Sequence, residues 1–504
     1  MNKVKTFLLE VYLLLAIYFL IIAFARQTLF DDLTNSCIFT VIFSVITFLF
    51  IIFVCKLKSF SFPVIFLAIT FLFTTTSPIL FILYGVKGLS EWRFIDLVGI
   101  NKALVLINLM YTSFYIGISF NKTLIKYGNS KPFKSSMQII ARLQEERILN
   151  IIGFGLLFIS FICILIPTLE GNGLMTFIKS SYHEYHDSRL EGSVSLLFTL
   201  AFSNFLPWSI ILITIGSNSI KQFKLYVFFF ALPFIIIILL TGDRSSAFPP
   251  IVLLISIFYI KYHTITKISW RKIVLISIIC LYLIPVIRVT RTIPISQWNS
   301  QTLISVITFQ DNTFHSTDTE NLNIITSTMY SVSEQLQSLV GTMKLVPDKA
   351  QYRYGFDYFV RPTIVAIPFL EFIISIDFHV RGAGIWVQPT QWFTYYYNTR
   401  GTGLGYLQVA EAYLNFGPLG IFVIYIILGF CLTKFWFKAL FEKLPVKQIA
   451  FWLLFFNNVL NWIRNDATGQ LRNLTWAWVI IYGGFAVVKY FQSKKISRGL
   501  PYIR

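Results

Sequence analysis

Residues Gly405–Phe430 read GYLQVAEAYLNFGPLGIFVIYIILGF. The second half is an unbroken apolar run, yet Glu411 stands at its entrance, and an ionised side chain at mid-bilayer costs about 2.5–3.5 kcal/mol or more. On a helix, Gln408, Glu411 and Asn415 fall at i−3, i and i+4 and form one polar stripe on an otherwise apolar cylinder. Gly417 and Pro418 follow at once and predict a break just inside that stripe. A costly acid at the head of a membrane-length helix needs a partner, and the rest of the chain has to supply it.

Many more runs of this kind occur. Of the 504 residues 56% are hydrophobic and 52 are Phe, and apolar stretches of about 17–25 residues recur, each long enough to cross a hydrocarbon layer of about 30 Å. The runs are continuous rather than alternating, which excludes a β-barrel. The fold class is therefore all-α: a polytopic helical membrane protein of about twelve spans, near 7–24, 37–55, 62–84, 97–120, 148–168, 193–215, 225–241, 246–262, 273–290, 404–433, 448–463 and 474–490. The first run resembles a signal peptide, but it is too long and carries Glu10, so it reads as an uncleaved span. Three parts follow: an N-terminal bundle (1–290), a large loop (291–403), and C-terminal helices with a tail (404–504).

The net charge of +19 is distributed by topology. Alternate loops, from Lys3/Lys5 through Lys122–Arg147 to the C-terminal tail, hold roughly 25 of the 42 basic residues and about three acids. The positive-inside rule places these loops and both termini in the cytoplasm. No soluble basic domain exists to bind nucleic acid. The five cysteines lie in or beside spans and behave as small apolar residues. No internal repeat of the kind that marks secondary transporters is visible.

The 291–403 loop is rich in aromatic residues, which argues against disorder. Within it Ile325, Met329, Val332, Leu336, Leu339, Val340 and Met343 recur at helical spacing until Pro347. The stretch TIVAIPFLEFIISI, Thr363–Ile376, is too short to span comfortably and reads as re-entrant or interfacial.

Charged residues cluster in five places outside the basic loops: Asp243 and Arg244 in TGDRSS; Arg288 and Arg291, three residues apart; Arg353, Asp357 and Arg361 in YRYGFDYFVRP; Glu411 with Gln408 and Asn415; and Arg464, Asp466 and Arg472 in RNDATGQLR. Guanidinium groups stay charged and bind phosphate through two parallel hydrogen bonds, and a partly desolvated carboxylate beside them is suited to take a hydroxyl proton. Trp386, Trp392 and Tyr395–Tyr397 offer flat faces for sugar rings. Against this, adjacent opposite charges also make ordinary turn ion pairs, arginines at span ends snorkel to water, and tyrosines form interface belts. The stretch YHEYHDSRLE, Tyr182–Glu191, spaces two histidines for a metal, but third and fourth ligands are lacking and an exposed loop is the better reading. No metal site is expected, and no nucleotide-binding or nucleophile-elbow motif is present.

The block from Gly401 to Phe430, containing GLGYLQVAEAYLNFGPLGIFVIYIILGF, resembles the late signature of bacterial O-antigen and related polysaccharide polymerases of the Wzy type: a Gly-rich lead, an acid, a Tyr and an Asn-Phe-Gly before a late span. VGTMKLVPDKAQYRYGFDYFVRPTIVAIP and TGDRSS are similar to the same family. The resemblance implies a metal-independent glycosyltransferase with no cofactor. It would move a growing glycan from undecaprenyl pyrophosphate onto the non-reducing sugar of a new lipid-linked repeat unit, at the outer face of the inner membrane. Its partners would be lipid-linked oligosaccharides, membrane lipids and a chain-length regulator. Under that reading Glu411, Arg244 and Arg288 act in catalysis, while Arg291, Arg361, Arg464, Asp243, Asn415 and Tyr395 hold substrate. An O-antigen-ligase-type transferase uses the same chemistry on a different acceptor, and a lipid-linked oligosaccharide flippase is the alternative of another class.

Overall fold

The computed structural model describes residues 2–55, 57, 61–89, 95–121, 139–169, 201–240, 244–262, 293, 297–308, 329, 332–367, 370, 382, 384–397, 405–441 and 444–497. These form helices and connecting turns with no strand among the described residues. In chain order the helices are α1 (Asn2–Phe24), α2 (Leu33–Phe53), α3 (Phe62–Tyr84), α4 (Leu97–Ser119), α5 (Ile139–Leu169), α6 (Leu206–Ile215), α7 (Ile220–Tyr226), α8 (Leu232–Leu240), α9 (Arg244–Tyr262), α10 (Ser300–Thr308), α11 (Leu336–Leu345), α12 (Val360–Ala366), α13 (Pro389–Tyr396), α14 (Gln408–Phe441), α15 (Val446–Trp462) and α16 (Ala467–Ser497).

Eight helical segments among the described residues are long and apolar enough to cross a membrane; α7 and α8 count as one of these, joined through a wider turn at Val227–Ala231. The shorter apolar helices α6 and Phe248–Tyr262, together with α15, fall on three further expected spans. The expected span at 273–290 lies outside the described residues. Of the helical stripe read upstream of Pro347, Leu336, Leu339, Val340 and Met343 lie on α11, which Val346 caps, while Ile325 lies outside the described residues. Of the stretch read as re-entrant, residues up to Ala366 belong to the short helix α12.

Contacts divide the chain into two compact units: 1–132 with 326–442 and 458–472, and 133–325 with 443–457 and 473–504. In the first unit α4 is buried along most of its length and packs against α1, α2, α11 and α14. Many buried polar groups in this unit are answered within it, as an interior without water favours. Hydroxyls at Ser44, Thr74, Thr112 and Ser113 donate to the carbonyl four residues back. Across helices, Asn108 Nδ2 donates to Thr40 (2.9 Å), Tyr12 pairs with Thr47 (2.8 Å) and Tyr111 with Thr74 (2.9 Å).

The α4–α14 contact is close because glycines face backbone. A Cβ on Gly117 would lie 2.1 Å from the Ile426 carbonyl oxygen, and one on Gly429 would lie 2.4 Å from that of Phe114. In apolar surroundings, where no hydrophobic force favours helix pairing, this approach gains dispersion contact that larger residues forbid.

In the second unit a buried cation ties helix ends together. Lys261 Nζ reaches Glu146 Oε1 at 3.0 Å and also donates to the carbonyls of Ile215, the last residue of α6, and Ser217 just past it, where the helix dipole favours positive charge. At another junction Glu145 Oε2 accepts from the Val446 N–H that opens α15.

Replacing Gly117 by Leu is expected to lower the stability of the purified protein in detergent by about 1–3 kcal/mol or more, because backbone must move to admit it. Gly155→Leu, whose Cβ would meet nothing within 4 Å, should melt like the parent. Thermal unfolding of the two variants side by side tests the contact, and equal melting would refute it.

Candidate functional site

Within the first unit, four pieces of chain meet where α14 begins. The lead into α14 lies beside the α15–α16 turn, Tyr406 N donating to Arg464 O (2.9 Å) and Gln408 N to Ile463 O (3.1 Å). Helix α11 covers the same lead: Ser338 Oγ accepts from Leu407 N (3.0 Å), and Thr342 pairs with the Tyr406 hydroxyl (2.7 Å). Segment 351–361 closes against α14, and segment 384–388 lies over segment 351–361.

The break foreseen at Gly417-Pro418 is present. Phe416 and Gly417 leave helical geometry, Gly417 at φ +62°, a conformation that favours glycine. Carbonyls released by the break find new donors. Leu414 O accepts from Arg353 N (3.0 Å) and Asn415 O from Tyr354 N (2.9 Å), so segment 351–361 replaces the missing helical donors.

The polar stripe is fully buried, with Gln408, Glu411 and Asn415 at 1%, 0% and 0% exposure. Glu411 faces the N-terminus of α16. Its Oε2 accepts from the Trp462 indole (2.7 Å), and Oε1 and Oε2 share the Ala467 N–H (3.0 and 2.9 Å). Ala467 opens α16, so the carboxylate sits on unsatisfied helix-end N–H groups and the positive end of the dipole. Asp466 Oδ1 takes another such donor, Gly469 N, at 3.1 Å. An acid that looked expensive in the sequence is therefore held by three hydrogen bonds.

Asn415 uses both ends of its amide. Oδ1 accepts from Gly355 N (3.1 Å) and Asp357 N (3.4 Å); Nδ2 donates to Asp357 Oδ2 (3.0 Å) and Glu411 O (3.0 Å). The other oxygen of Asp357 serves two guanidinium groups, Arg353 Nη1 at 3.0 Å and Arg361 Nη1 at 2.9 Å. The same two nitrogens also donate to Val387 O, at 2.7 and 2.8 Å. Arg361 Nε reaches Thr468 Oγ1 (2.8 Å), which latches segment 351–361 to α16, and Arg353 lies over the Trp392 ring at 5.5 Å. Both Nη2 groups, the Gln408 amide nitrogen and the Tyr358 hydroxyl have no hydrogen-bond partner in the protein. Such orphaned buried groups cost about 1–3 kcal/mol each, more when charged. Burial, and then the charges of Glu411 and Asp357, push the Tyr358 phenol well above its ordinary range, so it stays neutral. Its ring packs against Phe416 and Trp462.

Of the residues singled out in the sequence, Glu411, Asn415 and Arg361 are brought into this network. Arg464 is half-buried beside Gly405 at its edge. Tyr395 stands outside it, exposed on α13. Arg244 opens α9 in the second unit, its side chain outside the description; Asp243, Arg288, Arg291 and the histidine stretch 182–191 also lie outside the described residues. The sequence reading missed Trp462, Thr468 and the Val387 carbonyl. The Arg353-Asp357-Arg361 spacing of four residues was the visible sign of the ion pairs, but nothing local marks a tryptophan 51 positions from its carboxylate.

Asn415→Asp is expected to cost about 2–4 kcal/mol, since it removes the donor to Asp357 and sets a second buried carboxylate against it. The measurement is thermal unfolding in detergent, and parent-like melting would show the amide is not the hub.

These features define a class: a polytopic helical membrane protein whose first unit gathers buried charge around the entrance of a broken helix. The chain belongs to the family of the O-antigen polysaccharide polymerase Wzy, whose model matches residues 8–495. No curated protein and no solved structure matches it. The family makes it a polysaccharide polymerase, hence a glycosyltransferase, acting in a membrane on lipid-linked repeat units.

Proposed function

We propose that the chain transfers a growing glycan from undecaprenyl pyrophosphate to the non-reducing end of a lipid-linked repeat unit, at the outer face of the inner membrane, with both termini cytoplasmic. The observation that carries this is the family match, which runs through both compact units and includes the charged network. The charge distribution of the loops supports the orientation.

An acceptor hydroxyl attacks the anomeric carbon of the donor sugar. The new glycosidic bond forms as the bond to pyrophosphate breaks, undecaprenyl pyrophosphate departs with the electron pair, and the hydroxyl proton passes to a base. No metal is assigned to the reaction. Arg464, at the α15–α16 turn, faces the departing charge in this reading; Arg244 and Arg288 keep the catalytic roles, and Arg291 and Asp243 the substrate-holding roles, that their residue types suggest. Asp466, half-buried and two residues from Arg464, is the proton acceptor. Glu411 acts one step back: buried and committed to Trp462 and Ala467, it holds the turn that carries Arg464 and Asp466. Tyr395, exposed on α13, offers a stacking face for a sugar. A chain-length regulator is the expected partner.

Deleting the gene in its host and restoring variants on a plasmid tests the reading by gel analysis of surface glycan. Loss of the chain should leave single repeats. Complete loss of surface glycan with accumulated lipid-linked polymer would indicate a ligase, and lipid-linked units trapped on the cytoplasmic side would indicate a flippase.

Two substitutions separate the roles of the acids. Asp466→Asn should abolish long chains while the protein melts as the parent does, a loss on the order of 100-fold or more for a base. Glu411→Gln should lower melting temperature and chain length together, with Glu411→Asp restoring part of both. Normal polymerisation by the Asp466 variant, with a parent-like pH profile in membrane vesicles, would remove it as base.

A further inference from the structure

We infer that Arg353 and Arg361 form an oxyanion-binding site, separate from the turn that carries Arg464. Each guanidinium is at least nine-tenths buried, at 4% and 0% exposure, and each binds the same two oxygens, Asp357 Oδ1 and Val387 O, through Nη1. This leaves Nη2 of each without a partner in the protein, on two guanidinium groups that share the same pair of acceptors. Buried guanidinium nitrogens are strong donors that demand acceptors.

Charge points the same way. One carboxylate, Asp357, serves two arginines, and its second oxygen is taken by a neutral donor, Asn415. The other buried carboxylate of the network, Glu411, is committed to Trp462 and the start of α16. Segment 353–361 therefore keeps a positive excess facing its unpartnered N–H groups. The matching ligand is a pair of negatively charged oxygens, as on a phosphate or a carboxylate.

Tyr354 and Val360, which flank Arg353 and Arg361 in the chain, and Phe359 are exposed at 73%, 43% and 70%, so the segment that carries both arginines reaches the surface beside each of them. Two sources supply such an oxyanion: the diphosphate of a lipid carrier, or the carboxylate of an acidic sugar in the repeat unit. The choice of source rests on the polymerase reading; the binding does not.

The test uses the purified full-length protein in detergent, with inorganic diphosphate and glucuronate as separate probes, followed by melting temperature and by calorimetric titration. One probe should raise the melting temperature in a concentration-dependent way, and which one does so identifies the source. Arg361→Lys and Arg353→Lys, which keep the charge but lose the planar fork, should weaken binding about tenfold. Asp357→Asn should tighten it by a similar factor, because it removes the competing anion. That gain cannot come from a damaged fold.

Binding of neither probe, binding unchanged in both lysine variants, or weaker binding in Asp357→Asn would each overturn the site. Such a result beside normal polymerisation in cells would leave the polymerase reading standing.

Discussion

A backbone carbonyl with no donor is costly where water is scarce, and α14 creates two of them by breaking at Phe416 and Gly417. The rest of the first unit's polar architecture follows from how those carbonyls are satisfied. Arg353 and Tyr354 lend their N–H groups to Leu414 and Asn415, which brings segment 351–361 against the helix and carries two arginines and an aspartate into the interior. Asn415, one residue before the break, then ties that segment to Glu411 through its side chain. A break that would ordinarily weaken a membrane helix has become the docking point for a connecting loop.

Buried ion pairs are poor sources of stability, because desolvation offsets most of the attraction. The value of Asp357 lies instead in what it positions. Through Arg361 it engages Thr468 on α16, and through both arginines it shares the Val387 carbonyl. Apolar residues of equal volume would fill the space but could not specify that register. For a polymerase, which must hold two reacting groups in line, a fixed register among these segments is of direct use.

Much of the fold was legible because a lipid-facing helix advertises itself: eleven of the twelve expected spans coincide with described helices. The polar stripe on α14 and the break after it were also readable, since both depend on residues within ten positions of one another. What escaped was the partner of Glu411. Trp462 and Ala467 are joined to it by three-dimensional packing across more than fifty residues, and neither carries a charge that would draw notice. Arg361 was readable as part of a charged cluster but not as buried. Arginine is the residue type that the sequence reading associates with phosphate at a membrane surface, and only the contacts with Asp357, Val387 and Thr468 reveal that most of its donors are already in use.

The same economy appears in the second unit. Glu145 lies 301 positions from the N–H of Val446 that it accepts, at the start of α15, as Glu411 answers the start of α16. The chain has only 23 acidic residues, and two of its glutamates are committed to helix N-termini remote in sequence. A helix end inside an apolar protein has orphan N–H groups and a positive dipole but little water to satisfy either, so an acid from another helix does the work a local cap does at a surface. In sequences of this kind, an acid at the mouth of a long apolar run is therefore first a candidate anchor for another helix. Its chemistry follows from whether that anchoring leaves a carboxylate oxygen free: Glu411 shares both oxygens with Trp462 and Ala467, which is why the proposed mechanism gives the proton to Asp466 instead.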